Sequence, residues 1–439
     1  EWEEIAELAL EMRRVVREEP ATARNRIAPF AFLAFPGTTA HEQKLCAEKY
    51  AKLSYRHLVP LREKLGFRFE RKGNGKIRLG YISADFREHP VSQLMVEVFE
   101  THDRSRFHVT AYSYTSDDGS AMRRRVEGAF DEFVDIGALS FEEAARRICG
   151  DGIDILVDLT GYTRGNRSGI LALRPAPVQV TYIGFLGTMG ADFIDYLIAD
   201  PFLIRQGEEI HYTEKIACLE SYQANDSKCL IGRTPSRMEC GLPENGIVFC
   251  SFNQTFKITQ DIFDVWMRLL REMPGSVFWL FSSNSLASQN LKREAQIRGV
   301  SPERLVFAER VPLAQHLGRL KCADIFLDNL PYNAGTTASN ALWAGLPVIT
   351  CTGETFSSRM AGSLLTALGV PELITDTLEH YHDLALELAR DGEKLVRIRE
   401  RIDKNRDIMP LFDTERFTRN LEHAFVEMHD AFWRKTATD

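Results

Sequence analysis

The chain has 439 residues, 44% of them hydrophobic and 26% charged. That is too long for a single core and too apolar for a disordered or fibrous protein, so two α/β domains are the starting expectation. The net charge of −8 argues against a general nucleic-acid or anionic-membrane binder and leaves room only for a local basic groove.

The eight cysteines are scattered and form no C-x-x-C pair, which fits a reduced cytoplasmic protein without structural zinc. No apolar run reaches membrane-spanning length, and no signal peptide is legible. The first residues are Glu1-Trp2-Glu3-Glu4 rather than a methionine, so further sequence upstream is expected. Residues 1–75 read as a helical connector: Trp2, Ile5, Ala6, Leu8, Ala9 and Met12 recur at helical spacing, and Pro20 ends the run. Pro29 to Pro36 is an apolar segment bounded by prolines, and His41 to Leu65 suits one or two more helices.

The pattern changes at Lys76. Strands are predicted at 76–83, 107–113, 154–159, 178–184 and 196–200, with helices between them. The polar stretch from Ser221 to Pro243 reads as a linker. The rhythm then restarts with strands at 247–252, 277–281, 305–307, 324–327 and 348–350, and the chain turns helical from about His380. The expected domains are therefore 76–235 and 236–439, each a doubly wound parallel sheet, facing one another across a cleft where ligands of such sheets bind.

The chain is organised around Asp328 to Pro347. A strand leads into Ala334-Gly335, where a tight turn is allowed; Thr336 or Thr337 is a natural N-cap, and Ala338, Ala341, Leu342 and Trp343 follow at helical spacing. Free amides, a helix dipole and two hydroxyls at such a turn receive phosphate. A plain strand-to-helix connection has the same pattern, and this stretch alone leaves both open. Gln254 and Lys257 sit at a second strand-to-helix handover, where a lysine offers a point charge to phosphate or is simply solvated. Asp85 and His89 follow the first strand and suit proton transfer. From the residues alone, a structural role is favoured for them, with Asp85 as a helix cap. The chain has no G-x-x-x-x-G-K-[ST], G-x-G-x-x-G, Asp-x-Asp, H-E-x-x-H or Gly-x-Ser-x-Gly motif, so nothing indicates a P-loop, a dehydrogenase, a catalytic divalent metal or a serine hydrolase.

Several phrases resemble the O-linked N-acetylglucosamine transferase and SPINDLY family of glycosyltransferases. They are Leu79 to Phe86 with His89-Pro90; Asp151 to Val157 with Gly161-Tyr162-Thr163; Leu173 to Gln179; Phe252-Asn253-Gln254 with Lys257; the stretch from Asp328; and Gly353-Glu354-Thr355 with Ser358-Arg359. The resemblance implies a GT-B fold, metal-independent inverting transfer, no cofactor beyond a nucleotide-sugar donor, and an upstream array of tetratricopeptide repeats. It implies UDP-GlcNAc as donor and a protein or peptide as acceptor, with no nucleic-acid or membrane partner. GDP-fucose and UDP-glucose are the alternative donors. A binding module without turnover is the alternative of another class.

Position by position, the resemblance assigns the donor diphosphate to Lys257, Gln254, Thr336 and Thr337, nucleotide packing to His316, and backbone reading of the uracil to Val311 and Leu313. Ile183 and Gly184 form the floor under the sugar, with Pro90 also on the donor, while Asp85 and His89 serve proton relay. Gly335 stands where family members often carry His, Asn340 where an Asp binds the ribose, and Phe30 or a neighbour where the animal enzymes carry an active-site histidine.

Overall fold

The structure, a computed structural model, describes residues 2–20, 22, 25–71 and 75–436. Among the described residues the strands form two sheets, parallel throughout. The first contains β1 (Ile77–Ser83), β2 (Phe107–Ser113), β3 (Glu132–Asp135), β4 (Ile155–Asp158), β5 (Val178–Thr181), β6 (Tyr196–Ala199) and β7 (Lys215–Cys218), in the order β3-β2-β1-β4-β5-β6-β7. The second contains β8 (Val248–Ser251), β9 (Val277–Phe281), β10 (Leu305–Ala308), β11 (Ile325–Leu327), β12 (Val348–Cys351) and β13 (Ile374–Thr375), in the order β10-β9-β8-β11-β12-β13. Helices connect most successive strands, as parallel pairing favours; β5 and β6 are joined without one, and β6 and β7 by a single 3-10 turn, Glu209–His211. The fold class is the expected one, two Rossmann-like α/β units of the GT-B kind with a helical N-terminal segment.

The central strands β4 and β8 are buried along their whole length, and β1 from Leu79 onward. This is why they read as unbroken apolar runs rather than alternating ones. In each sheet the strand order reverses once, between β1 and β4 and between β8 and β11. Ligands of open parallel sheets bind beside the carboxyl ends of such a pair.

The chain forms two compact units. The first, around the first sheet, is Glu7–Ser227 together with Asp413–Asp439; the second is Lys228–Phe412 together with Glu1–Ala6. The division falls inside the stretch read as a linker but differs from the expected boundaries at both ends of the chain. The first residues belong with the second sheet because Trp2 Nε1 donates to the Ile258 carbonyl at 2.9 Å and its ring lies 5.2 Å from that of Phe263. The last helix, Thr414–Thr436, was expected in the C-terminal domain and belongs instead with the first sheet. Its Glu422 carboxylate accepts from the Asp103 amide at 2.7 Å and pairs with His102 Nδ1 at 3.0 Å, and Thr414 Oγ1 donates to the Asn225 carbonyl at 2.7 Å.

In the second unit, Trp266 is fully buried and its ring lies 4.4 Å from Phe278. Trp266 Nε1 donates to the Tyr381 hydroxyl at 3.1 Å, which donates in turn to the Asp328 carbonyl at 2.9 Å. A polar chain thus runs from this core to the end of β11.

Candidate active site

In the second unit, the residues after β8 and β11 are bound into one network. The buried Asp328 carboxylate accepts from the amides of Asn329 and Ala334, both at 2.7 Å, and from Thr350 Oγ1 at 2.7 Å. It thereby folds the loop 329–334 back on itself. Asn329 Oδ1 accepts from Ser251 Oγ at 3.1 Å and from Asn253 Nδ2, and its Nδ2 donates to the Lys257 carbonyl at 3.2 Å. Thr337 Oγ1 donates to Asn253 Oδ1. Both candidate phosphate turns are therefore tied together by side chains, which the sequence alone could not show.

The helix Thr336–Trp343 begins after Gly335, which occupies the N-cap position without a capping side chain. This corrects the expectation that Thr336 or Thr337 is the cap: Thr336 is the first helical residue and Thr337 the second. Thr336 and Thr337 are half-buried, and the amides of an uncapped first turn carry the positive end of the helix dipole. Lys257 Nζ donates to the Asn333 carbonyl at 3.1 Å and lies 3.9 Å from the centre of the Tyr332 ring. Stripping of water from its ammonium pushes the Lys257 pKa down, opposed by the Asp328 charge. Burial pushes Asp328 up, opposed by its three hydrogen-bond donors and then by Lys257. The Lys257 ammonium thus lies beside a helix N-terminus, where a bound phosphate would favour its charged form, a combination suited to a phosphate group.

The other candidates of this unit take up separate places around the same strand ends. Gln254 is exposed and precedes the single turn Thr255–Lys257. The His316 ring packs edge-on against Phe252, centroids 5.0 Å apart. Its Nδ1 accepts from Arg319 Nε at 3.2 Å, which leaves the ring proton on Nε2. Burial, with the Arg319 charge added, pushes its pKa down to about 3, so the imidazole is neutral and offers a flat face. Val311 and Leu313 are half-buried where β10 hands over to the helix Leu313–Leu320, and Asn340 is half-buried in the second turn of Thr336–Trp343.

In the first unit, Asp85 follows β1. Its amide donates to Ser83 Oγ at 3.0 Å and its carbonyl accepts from Ser92 Oγ at 2.6 Å. The buried carboxylate has His89 Nδ1 at 3.6 Å and Arg87 Nη2 at 3.7 Å. Burial raises its pKa, and the charges of His89 and Arg87 pull it back. Asp85 is not a helix cap. His89 takes that place: it is the N-cap of Pro90–Thr101, and its Nδ1 accepts from the Val91 amide at 3.3 Å. Pro90 at the first helical position costs nothing, since its missing amide would have no partner there. Ile183 stands at φ +61 although it is β-branched, a strained conformation of the kind held at functional sites. The following Gly184 is required sterically, because a Cβ there would lie 2.1 Å from the Leu159 carbonyl oxygen.

Sequence reasoning missed the residues that hold these groups: Asp328, Asn329, Asn333 and Asn253 in one unit, Ser92 and Thr160 in the other. The available signal was position, since each acid or amide of the first set follows a strand beside the switch point. Among the described residues one cluster has metal-ligand chemistry, Glu379, His382 and Asp383. Its Glu379 carboxylate is already engaged by Arg268, whose Nη1 lies 2.9 Å away, and its His382 Nδ1 by Asp383 at 2.9 Å. All eight cysteines are free thiols. No helix among the described residues is long and apolar enough to cross a membrane.

The sequence matches the profile of Glycosyl transferase family 41 over residues 11–232 and 227–421. It is 34% identical over 442 residues to a protein of Arabidopsis thaliana named as a probable UDP-N-acetylglucosamine–peptide N-acetylglucosaminyltransferase SEC, covering 97% of this chain and 45% of the relative. A probable SPINDLY transferase of Hordeum vulgare is 32% identical over 80% of this chain and 38% of its own length. The chain thus spans less than half the length of these relatives. Among solved structures, a mutant O-GlcNAc transferase of Thermobaculum terrenum superposes with a TM-score of 0.87 at 29% identity, over 98% of this chain and 82% of that one. HepE of Anabaena, solved with UDP and glucose, shares the fold at a TM-score of 0.54 and 12% identity, over 79% of this chain and 100% of that one.

Proposed function

The chain belongs to glycosyl transferase family 41, and from that premise we propose that it moves N-acetylglucosamine from UDP-GlcNAc to Ser or Thr hydroxyls of protein acceptors, with inversion and without a metal. The single observation that carries the donor half of this reading is Lys257 beside the uncapped start of Thr336–Trp343, joined by the Asp328–Asn329 network. The names of the relatives support the choice of donor and acceptor.

The acceptor oxygen attacks the anomeric carbon from the face opposite the diphosphate. A carbon–oxygen bond to the acceptor forms as the bond to the phosphate oxygen breaks, and UDP leaves with the electron pair. Charge grows on the leaving diphosphate, where Lys257 and the amides at Thr336 and Thr337 stabilise it electrostatically. Gln254 assists on the diphosphate, the neutral His316 face packs on the nucleotide, the backbones of Val311 and Leu313 read the uracil, and Asn340 bonds the ribose. Ile183, Gly184 and Pro90 shape the sugar site. The acceptor proton leaves by Asp85 through water, by His89, or to the donor's own phosphate. No cofactor beyond the donor is called for, and the setting is cytoplasmic.

The test is transfer itself: the chain is incubated with UDP-GlcNAc, EDTA and a panel of Ser- and Thr-containing peptides, and UDP release and peptide mass are followed. Release of UDP matched by one added N-acetylhexosamine per peptide, in a β linkage, supports the reading. Transfer that needs Mg²⁺, or a retained α linkage, overturns it.

A further inference from the structure

The switch point of the first sheet holds a second carboxyl that the mechanism above does not use. Asp158 ends β4, where it is paired with Ile82 of β1 on one side and Thr181 of β5 on the other. It therefore stands between the strand that leads to Asp85 and the strand that leads to Ile183 and Gly184. It is 2% exposed. Its Oδ1 accepts from the amides of Thr160 at 2.9 Å and Gly161 at 3.2 Å, and Thr160 Oγ1 accepts from the Ala84 amide at 3.0 Å. Its carbonyl accepts from the Tyr182 amide at 3.0 Å. One residue thus holds the loop before Asp85 and the loop before Ile183.

The other oxygen, Oδ2, is buried with no hydrogen-bond partner. An ionised carboxylate with a bare oxygen in the interior is costly, and a proton on that oxygen relieves the cost. The groups around it do not supply a counter-charge. Tyr55 from the helix Ala40–Tyr55, Tyr114 after β2 and Tyr162 after Gly161 are buried phenols whose pKa values burial raises, with Asp158 adding to the rise. Arg167 acts on Tyr114, while Arg87 and His89 face Asp85.

We propose that Asp158 is the buried second carboxyl of the Asp85 site, a positioning residue that ties the Asp85 and Ile183–Gly184 loops together through Oδ1 and its carbonyl while its bare Oδ2 carries a proton. Burial pushes Asp158 up to about 6 against the Thr160 and Gly161 amides, and the Asp85 charge adds a smaller push in the same direction. Only the consequence for turnover rests on the glycosyl-transfer reading.

The experiment is a carboxyl ¹³C NMR titration of the aspartate-labelled chain, with D85N and D158N used to assign the two signals; it needs no substrate. The expected result is an Asp158 carboxyl that titrates above the ordinary aspartate range and moves to lower pH in D85N. An Asp158 titration identical in D85N and the parent, or one in the ordinary range, overturns the proposal. In D158N the Asn Oδ1 can keep both accepted amides; should that variant not fold, D158E assigns the signal. In the transfer assay, D158N should move the acid limb of kcat to lower pH with the donor KM unchanged. A kcat lowered equally at every pH would reduce Asp158 to a structural role and overturn its influence on Asp85. If the chain transfers no sugar at all, the NMR outcome stands or falls by itself.

Discussion

Replacing Lys257 by methionine separates a catalytic lysine from a structural one, because the two roles predict opposite outcomes. The change keeps the apolar stem and removes the ammonium. In the free protein that deletes one hydrogen bond, to the Asn333 carbonyl at 3.1 Å, and one cation–π contact, at 3.9 Å from the Tyr332 ring. Each is worth about 1 kcal/mol, and loss of the desolvation cost that depresses the Lys257 pKa offsets them. Asp328 keeps its three donors at 2.7 Å and loses only the Lys257 charge, the smallest of the influences that hold its carboxyl down. Stability should therefore change by no more than about 1 kcal/mol.

Turnover should behave otherwise. Groups aimed at developing leaving-group charge are worth ~10²–10³ in rate, so kcat should fall by that factor while the melting curve stays in place. The pH dependence has a definite sign. A lysine whose folded pKa is depressed carries its full burial cost at low pH, and the cost fades as pH rises through the interval from the folded value to the unfolded one. The stability of the parent relative to Lys257→Met should thus rise with pH above neutrality. The assays are UDP release at saturating donor and urea denaturation across that range. Near-parental turnover together with a large loss of stability would refute the reasoning.

Three other perturbations follow from the geometry. His316 has a folded pKa near 3 against an ordinary 6.5, so falling pH protonates the unfolded state first and stability is lost between those values; His316→Phe should flatten that acid loss in pH-dependent denaturation, and an unchanged slope would contradict the burial argument. Gly184→Ala would drive a Cβ to 2.1 Å from the Leu159 carbonyl and should cost ~1–3 kcal/mol or more, read as a lower urea midpoint; a neutral result would mean this turn is not as tight as described. His89→Ala removes a helix cap and should cost about 1 kcal/mol as well as turnover, whereas Asp85→Asn should lower kcat with little change in melting or donor affinity. Equal melting losses in the two variants would return Asp85 to a structural role.

What the sequence disclosed, and what it withheld, divide along physical lines. The strands β1, β2 and β9 were predicted to within a residue because they are interior strands of covered parallel sheets, five to seven residues long and mostly buried. The strands β3, β7 and β13 were not seen. They are two to four residues long and lie at or beside sheet edges, and β3 carries acids at both ends with both of them exposed. The proline-bounded segment at 29–36 was read as core, and Phe32 and Leu33 are indeed buried. The last helix was misplaced because its ties, such as Glu422 to His102, join residues hundreds of positions apart and leave no local pattern. The same holds at the site. Lys257 and the Thr pair were legible from strand-to-helix handovers, but the side chains that lock those turns together, Asp328, Asn329 and Asn253, show their purpose only in three dimensions.

Donor recognition without metal is the central claim, and calorimetric titration in EDTA tests it most directly. UDP, UDP-GlcNAc, UDP-glucose and GDP-fucose are each titrated into the chain and into Lys257→Met, because Gly335 and Asn340 stand where the resemblance led us to expect histidine and aspartate. The account predicts that UDP and UDP-GlcNAc bind the parent in EDTA, that Mg²⁺ does not strengthen binding, and that Lys257→Met weakens it. Tighter binding of GDP-fucose than of UDP-GlcNAc, binding that appears only with Mg²⁺, or no binding of any donor would contradict it.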